Sequence, residues 1–549
     1  MPGRHAGSLL AAAVAASLLI AAPAQSAPPD QSATVPSDVA AVAREVVKSI
    51  LSPDSLIAGH DLWDTHATFA EPLLTPQTVG GLAPLWTFTT VDDVRATPTV
   101  EGTDLYVPDR GGHLYRIDTR TGSQIWRGTV ADWTGVSGSW SRTSPAITPK
   151  TVVIGDQKSS AVMAVDKGTG ALVWKTVVDP NPNALITASP VVAGGLAYVG
   201  VASGEEEMAA ETPGFQPSFR GSLVALDVNT GHVAWSFTTV PEGYTGGAVW
   251  ISGAAIGLAS GTIYVSTGNN YSLPPDVASC VRQAGDTQAR AACLAPDDHI
   301  DSVLALDLFT GRLKWAHSFT APDTWTVSCI LPNPATPCPQ PPNPDYDFGA
   351  GPNVFTTTIN GQPREIVGAG QKSGAYHALD PDTGETLWAV QAGPAGTWGG
   401  IERGTATDMR RVYVSITNSE NVTTTLRPSG QTVNGGFWAA LDAATGAILW
   451  QVPATGTNPA DPSLGANAFS FVSTANGVMY AGSTSGDMVA LDGKDGTLLW
   501  RYASGGSVIG SPAIVGGRLY WGSGYKMGPG GIKVTSNNQL YAFGLPGAP

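Results

Sequence analysis

The chain is poor in charge. Only 13% of its 549 residues are Asp, Glu, Lys or Arg, and the net charge is −15. That balance argues against a nucleic-acid partner, which needs clustered cations against phosphate, and disfavours an anionic lipid surface. Cysteine is scarce as well: there are four, Cys280, Cys293, Cys329 and Cys338, all in one region. No Cys-x-x-Cys-His occurs, so no haem is expected to be covalently attached, and no spacing suggests structural zinc. Long apolar runs are missing beyond the N-terminus, which predicts no membrane span.

The N-terminus reads "MPGRHAGSLLAAAVAASLLIAAPAQSA". Arg4 and His5 precede a short apolar stretch, Leu9 to Ala22, and small residues at Ala24, Ser26 and Ala27 offer cleavage sites. Residues 1–27 are therefore read as a secretory signal peptide and set aside from the fold. Export makes disulfides expected. Short loops favour Cys280–Cys293 and Cys329–Cys338, although four cysteines allow three connectivities.

Glycine (66) and proline (42) are plentiful, which suits many short strands joined by tight turns. One phrase recurs: "RIDTRTGSQIW", "AVDKGTGALVW", "ALDVNTGHVAW", "ALDLFTGRLKW", "ALDPDTGETLW", "ALDAATGAILW" and "ALDGKDGTLLW". Each reads as a strand, an Asp-started turn with Gly, and a second strand bearing Trp. Upstream of most copies lies a Gly-Gly hairpin such as "SPVVAGGLAYVGV". Four strands per repeat make a propeller blade. With Trp86 of "APLWTF" counted, eight units follow, and the last closes on "NQLYAFG" without a Trp. The expectation is an all-β, eight-bladed β-propeller over 76–549, with N- and C-terminal strands sharing one blade and leaving no open sheet edge. Long loops are expected at 204–220 and 269–350. Residues 28–75 form an N-terminal segment whose stretch 37–51 predicts a short helix, capped by Ser37, with Val39, Val42, Val46 and Ile50 on one face.

The repeat, in eight units, resembles that of the quinoprotein alcohol dehydrogenases that bind pyrroloquinoline quinone. The ordered set "SGEEEMAA", "PSFRGSLVALD", "STGNNYSLP", "CLAPDDHIDSVLALD" and "DYDFGAGPN" is similar to the polyvinyl-alcohol-dehydrogenase-like branch. The Trp repeat alone is shared with non-enzymatic propellers, including a scaffold protein of outer-membrane assembly, so the site residues must decide.

The resemblance implies a hard cation, Ca2+, held by oxygen donors. Glu206, Asn269 and Asp347 match the ligand positions, with Glu205 a rival one residue away and otherwise a cofactor contact. Trp250 of "GGAVWISG" matches the residue stacked on the quinone ring. Arg142, Thr187 and Lys372 match positions around the cofactor's acid groups, and Lys372 would stabilise negative charge on the reacting oxygen. Asp347 of "YDFGAG" matches the general base, and Asp345 a support. Gly349 stands where lanthanide-dependent relatives carry a second Asp, which points to Ca2+. The implied function is oxidation of an alcohol, with electrons leaving to an external acceptor such as a cytochrome c. Some residues depart from the pattern. Gln216, Pro217 and Ser218 replace an expected Cys pair, the adjacent-cysteine ring of methanol dehydrogenases is missing, and Arg403 stands in place of an aromatic. The rival readings are a non-catalytic propeller that binds protein or polysaccharide and, fitting less well, a glycan hydrolase built on Asp345 and Asp347.

Overall fold

A computed structural model describes residues 39–547, apart from 252, 258–260, 342 and 528–530. The signal-peptide reading of 1–27 and the cap at Ser37 lie outside the described residues. Among the described residues eight antiparallel sheets of four strands follow one another along the chain, within 99–129, 146–177, 191–238, 255–318, 353–391, 406–453, 473–503 and 513–544, and Ala184–Leu185 adds a fifth strand to the third. These are blades 1 to 8 of a propeller. Blade 8 is completed by Ala83–Thr89, which pairs antiparallel with Gln539–Gly544 so that Phe88 faces Leu540. The two ends of the propeller thus share one sheet, as the unpaired "WTF" and "YAF" segments predict.

The recurring phrase works as a bolt between blades. In blade 3, Asp227 accepts from the backbone N–H of Asn229 (3.0 Å) and Thr230 (2.9 Å) and from the Thr230 hydroxyl (2.9 Å). Gly231 follows at φ 73°, and a Cβ on it would lie 2.5 Å from the Trp174 ring of blade 2. The Trp174 indole N–H in turn donates to the Val228 carbonyl at 2.9 Å. Glycine is required here both for the left-handed backbone and for the close approach of the indole. Trp86, Trp126, Trp235, Trp315, Trp450 and Trp500 each donate to a backbone carbonyl of the following unit in the same way.

The N-terminal helix, Val39–Ile50, buries Val42, Ala43, Val46 and Ile50 against blades 3 and 4. The chain then circles one end of the propeller. Ser55 pairs with Val100 of blade 1, Leu56 accepts from Ile147 of blade 2, Leu62 from Ile256 of blade 4, Trp63 from Val354 of blade 5, Thr65 from Thr407 of blade 6 and His66 from Thr474 of blade 7. Thr68 reaches the Ile514 carbonyl of blade 8, and Glu45 takes the Gly194 N–H of blade 3. The segment is a girdle that touches every blade. Its non-glycine residues His60, Asp64 and His66 have φ of 71°, 55° and 52°. Such conformations persist only where the surroundings over-determine them, as this ring of contacts does.

The two expected long loops carry helices: Glu205–Glu211 in the first, Pro275–Gln283 and Thr287–Ala291 in the second. The disulfides are Cys280–Cys293 and Cys329–Cys338, the short-loop pairing. The second stapled loop meets the first, where Ala335 donates to the Ala210 carbonyl at 2.7 Å.

Candidate active site

These two loops border a cavity of about 410 Å³. Arg142, Thr187, Glu206, Trp250, Asn269, Asp347 and Lys372 all line it, so residues spread over 230 positions of sequence are brought to one space. Asp345, Glu402, Arg403 and Tyr525 line it too.

At its centre is one cation between two acids. Lys372 Nζ lies 2.8 Å from Asp347 Oδ1 and 3.1 Å from Asp345 Oδ2. All three side chains are nearly withdrawn from solvent. Burial pulls Lys372 down, but Asp345, Asp347, Glu402 and Glu206 outweigh it and hold the ammonium well above its ordinary range. Asp345 is pushed well up, by burial first, against the pull of Lys372. The other Asp347 oxygen accepts from Trp250 Nε1 at 3.0 Å. Lys372 also sits 5.0 Å from the centre of the Trp250 ring.

The loop that bears Asp347 is pinned at several points. Asp323 accepts from the Tyr346 N–H at 2.8 Å and the Asp345 N–H at 3.4 Å. Ser266 donates to the Ala350 carbonyl at 2.9 Å, and the Lys372 N–H to the Asp347 carbonyl at 3.1 Å. Beneath it Asp301 is fully buried, and its carboxyl is driven well up by burial and by Asp323. Trp250 is followed by Ile251 at φ 59°, a β-branched residue in the left-handed region, and Ile251 also lines the cavity. Strain of that kind is stored where a side chain must be aimed.

The three consecutive glutamates separate. Glu205, fully buried, accepts from the Ser218 N–H (2.7 Å), the Phe219 N–H (2.8 Å), Asn181 Nδ2 (3.0 Å), Asn183 Nδ2 (3.2 Å) and the Ser218 hydroxyl (3.1 Å). Its carboxylate is spent on folding the loop. The structure does not bring it to the cavity lining, contrary to the expectation of a cofactor contact there. Glu206 does reach the lining, and its carboxyl is raised by burial and by Asp345. Asn269 donates its amide nitrogen to the Asn270 and Trp325 carbonyls, both at 2.9 Å, which leaves its oxygen as the free end.

The comparisons with known proteins bear on what this cavity serves. Two polyvinylalcohol dehydrogenases align over most of the chain. The one from a Pseudomonas species is 30% identical over 88% of this chain and 76% of its own length. The one from Sphingopyxis is 31% identical over 87% and 74%. The chain belongs to the pyrroloquinoline quinone-dependent alcohol dehydrogenase family. The solved quinohemoprotein alcohol dehydrogenase of Comamonas testosteroni shares the fold, with a TM-score of 0.67 at 20% identity over 93% of this chain and 84% of that one. A europium-containing methanol dehydrogenase does so too, at 0.66 and 17% over 91% and 100%. A family profile described as outer membrane protein assembly factor BamB matches residues 82–218 and 435–544. That match omits the stretch of this quinoprotein family member that holds Trp250, Asn269, Asp347, Lys372 and Arg403.

The residues present suit the family's cofactor, a flat tri-acid. Arg142, Arg403 and Lys372 supply cations, and the buried Thr187 Oγ1 has no partner among the described residues. Gly268 leaves room beside the indole and the base, since a Cβ there would lie 3.1 Å from Asp347 Oδ2 and 3.5 Å from Trp250 Nε1. For a hard cation, Glu206, Asn269 and Asp347 offer oxygen donors. Among the described residues no group of three His, Cys, Asp or Glu is assembled as a metal site.

Sequence reasoning passed over Asp301, Asp323, Glu402 and Tyr525. Asp323 carries a weak signal, an isolated acid in "APDTW" shortly before the base motif; the others carry none.

Proposed function

We propose that the protein is an exported quinoprotein dehydrogenase that oxidises an alcohol: a secondary alcohol, a polyol or a polymer resembling polyvinyl alcohol. The observation that carries this reading is the shared position of Asp347, held between Lys372 and Trp250 at hydrogen-bonding distance in a cavity rich in cations. The quinone, when bound, would accept hydride from the alcohol carbon. Arg142, Thr187 and Lys372 would hold it, with Trp250 against its ring. Glu206, Asn269 and Asp347 would hold Ca2+.

The chain's own groups account for the proton. Asp347 takes the hydroxyl proton on Oδ1 or Oδ2 as hydride leaves carbon. Trp250 fixes the carboxylate's orientation, and Lys372 stands beside it as an ammonium. Asp345 shares the same cation and so keeps Lys372 in place. Asp323 secures the loop through two backbone amides. The Trp325 and Trp398 rings, which line the cavity, exclude water from the reacting centre. Electrons then pass to an external acceptor such as a cytochrome c.

Reconstitution of the purified protein with pyrroloquinoline quinone and Ca2+ tests the reading. Dye reduction is followed over primary alcohols, secondary alcohols, diols and polyvinyl alcohol. Quinone-dependent reduction with at least one class is expected; no quinone binding by calorimetry would sink the reading in favour of a non-catalytic propeller.

A further inference from the structure

One wall of the cavity carries more positive charge than its acids neutralise. Arg142, Thr187, Ile251, Arg403 and Tyr525 line both the main cavity and a smaller chamber of about 30 Å³ that reaches Asp64 and His66 of the girdle. Arg403 is 3% exposed, and its acidic neighbour Glu402 is 3.7 Å away, a loose contact. Among the described residues its Nε and Nη1 have no hydrogen-bond partner. The guanidinium plane is fixed by the Phe469 ring, 4.1 Å below it. Tyr525, 6% exposed, is covered by Arg95 at 4.3 Å.

We propose that Arg403 and Tyr525 complete, with Arg142, a carboxylate-binding pole of the cavity, separate from the Lys372–Asp347 centre, whose ligand is one acid group of a planar polycarboxylate. The proposal rests on the quinone reading of the site and assigns it two further binding residues. A buried guanidinium with two bare nitrogen donors is costly unless an acceptor meets them, and its planar fork matches a carboxylate. The stacking on Phe469 prevents the fork from turning to solvent instead. The Tyr525 hydroxyl reports the same excess of charge. Burial alone would push it up, yet Arg142, Arg403 and Arg95 bring it below its ordinary value. Arg142 is likewise pulled down by burial and by its two arginine neighbours. An entering carboxylate relieves all of these at once. An aromatic residue at 403 would supply no charge and at most one donor.

The test measures affinity rather than turnover. Binding of pyrroloquinoline quinone and of its trimethyl ester to apo-protein is followed by quenching of tryptophan fluorescence. The acid binds the wild type more tightly than the ester. Arg403→Gln is expected to weaken binding of the acid about 10–100-fold and leave the ester nearly unchanged. Arg403→Lys retains part of the affinity, and Tyr525→Phe loses several-fold; melting curves identify variants that do not fold. Equal affinity of wild type and Arg403→Gln for the acid, with the wild type still discriminating against the ester, overturns the proposal and leaves the quinone reading standing. Failure of the wild type to bind either compound overturns both.

Discussion

Glu402 fills the space that a side chain on Gly349 would need. A Cβ at Gly349 would lie 2.5 Å from the Glu402 carbonyl oxygen and 3.0 Å from its Cγ. Position 349 is the place where lanthanide-dependent relatives of this family are expected to carry a second acid. Here the connection between blades 5 and 6 closes it off. Gly349→Asp must therefore displace the backbone at Glu402, in the connection between blades 5 and 6, at a cost of about 1–3 kcal/mol. The expected result is a lowered melting temperature and no gain of lanthanide-dependent activity. A variant that melts like the wild type and responds to La3+ instead of Ca2+ would show that this space opens freely.

Asp347→Asn tests the proton acceptor. The amide oxygen can still accept from Trp250, so the cavity keeps its shape, but the group can no longer take a proton at neutral pH. The expected loss in kcat is about 10²–10⁴-fold, with quinone affinity within a few-fold of wild type. An unchanged rate at saturating alcohol would remove Asp347 from the role.

Lys372 holds the acids together. Removing its charge by Lys372→Met leaves Asp345 and Asp347 facing each other in a buried site, and breaking a buried pair this way costs about 3–5 kcal/mol. Asp345→Asn in the same background should recover part of that loss, because the remaining carboxylate no longer has a like-charged neighbour. Urea melts of the two single variants and the double variant measure the coupling. Strict additivity would mean that the three groups do not act as one unit.

Much of this was legible in the sequence, and the reasons are physical. The blade bolt is local: Asp, turn, Gly and Trp lie within eleven residues, so its pattern survives in every copy. Asp347 was legible because its neighbours Tyr346, Phe348 and Gly349 are contiguous with it. The choice between Glu205 and Glu206 was not. The three glutamates open a helix, where successive side chains diverge by about 100°, and the amides that capture Glu205 lie at 218 and 219. Glu402 and Tyr525 left no trace, because each reaches the cavity from a connection remote in sequence from the base motif. The girdle was also silent beyond its helix. It holds the blades largely through backbone groups, and backbone hydrogen bonds write nothing into side-chain spacing.

The girdle has a pH signature of its own. His66 is buried against Phe471, 3.5 Å from Asp64, and burial with nearby His60 lowers its pKa from 6.5 to about 4. Burial likewise brings His60 to about 4. A histidine whose folded pKa lies below its unfolded value contributes stability that is present above pH 6.5 and is lost as pH falls toward 4, since only the unfolded chain binds the proton in that window. Asp61 acts in the opposite sense. Its pKa is raised by burial to about 7, so its contribution is full below 3.8 and is lost as pH rises through 7. Asp64, raised by burial and by Asp61, behaves in the same way. Two histidines and two aspartic acids therefore offset one another, and the girdle adds little slope to the wild-type stability between pH 4 and 6.5. His66→Gln breaks that balance. Lacking one acid-side loss, the variant should gain on the wild type as pH falls from 6.5 toward 4, by about 1.4 kcal/mol per pH unit. Chemical denaturation at half-unit steps checks this. Parallel curves for the two proteins would mean that His66 takes up a proton in the folded state, and that the girdle is open to water where it now closes the propeller.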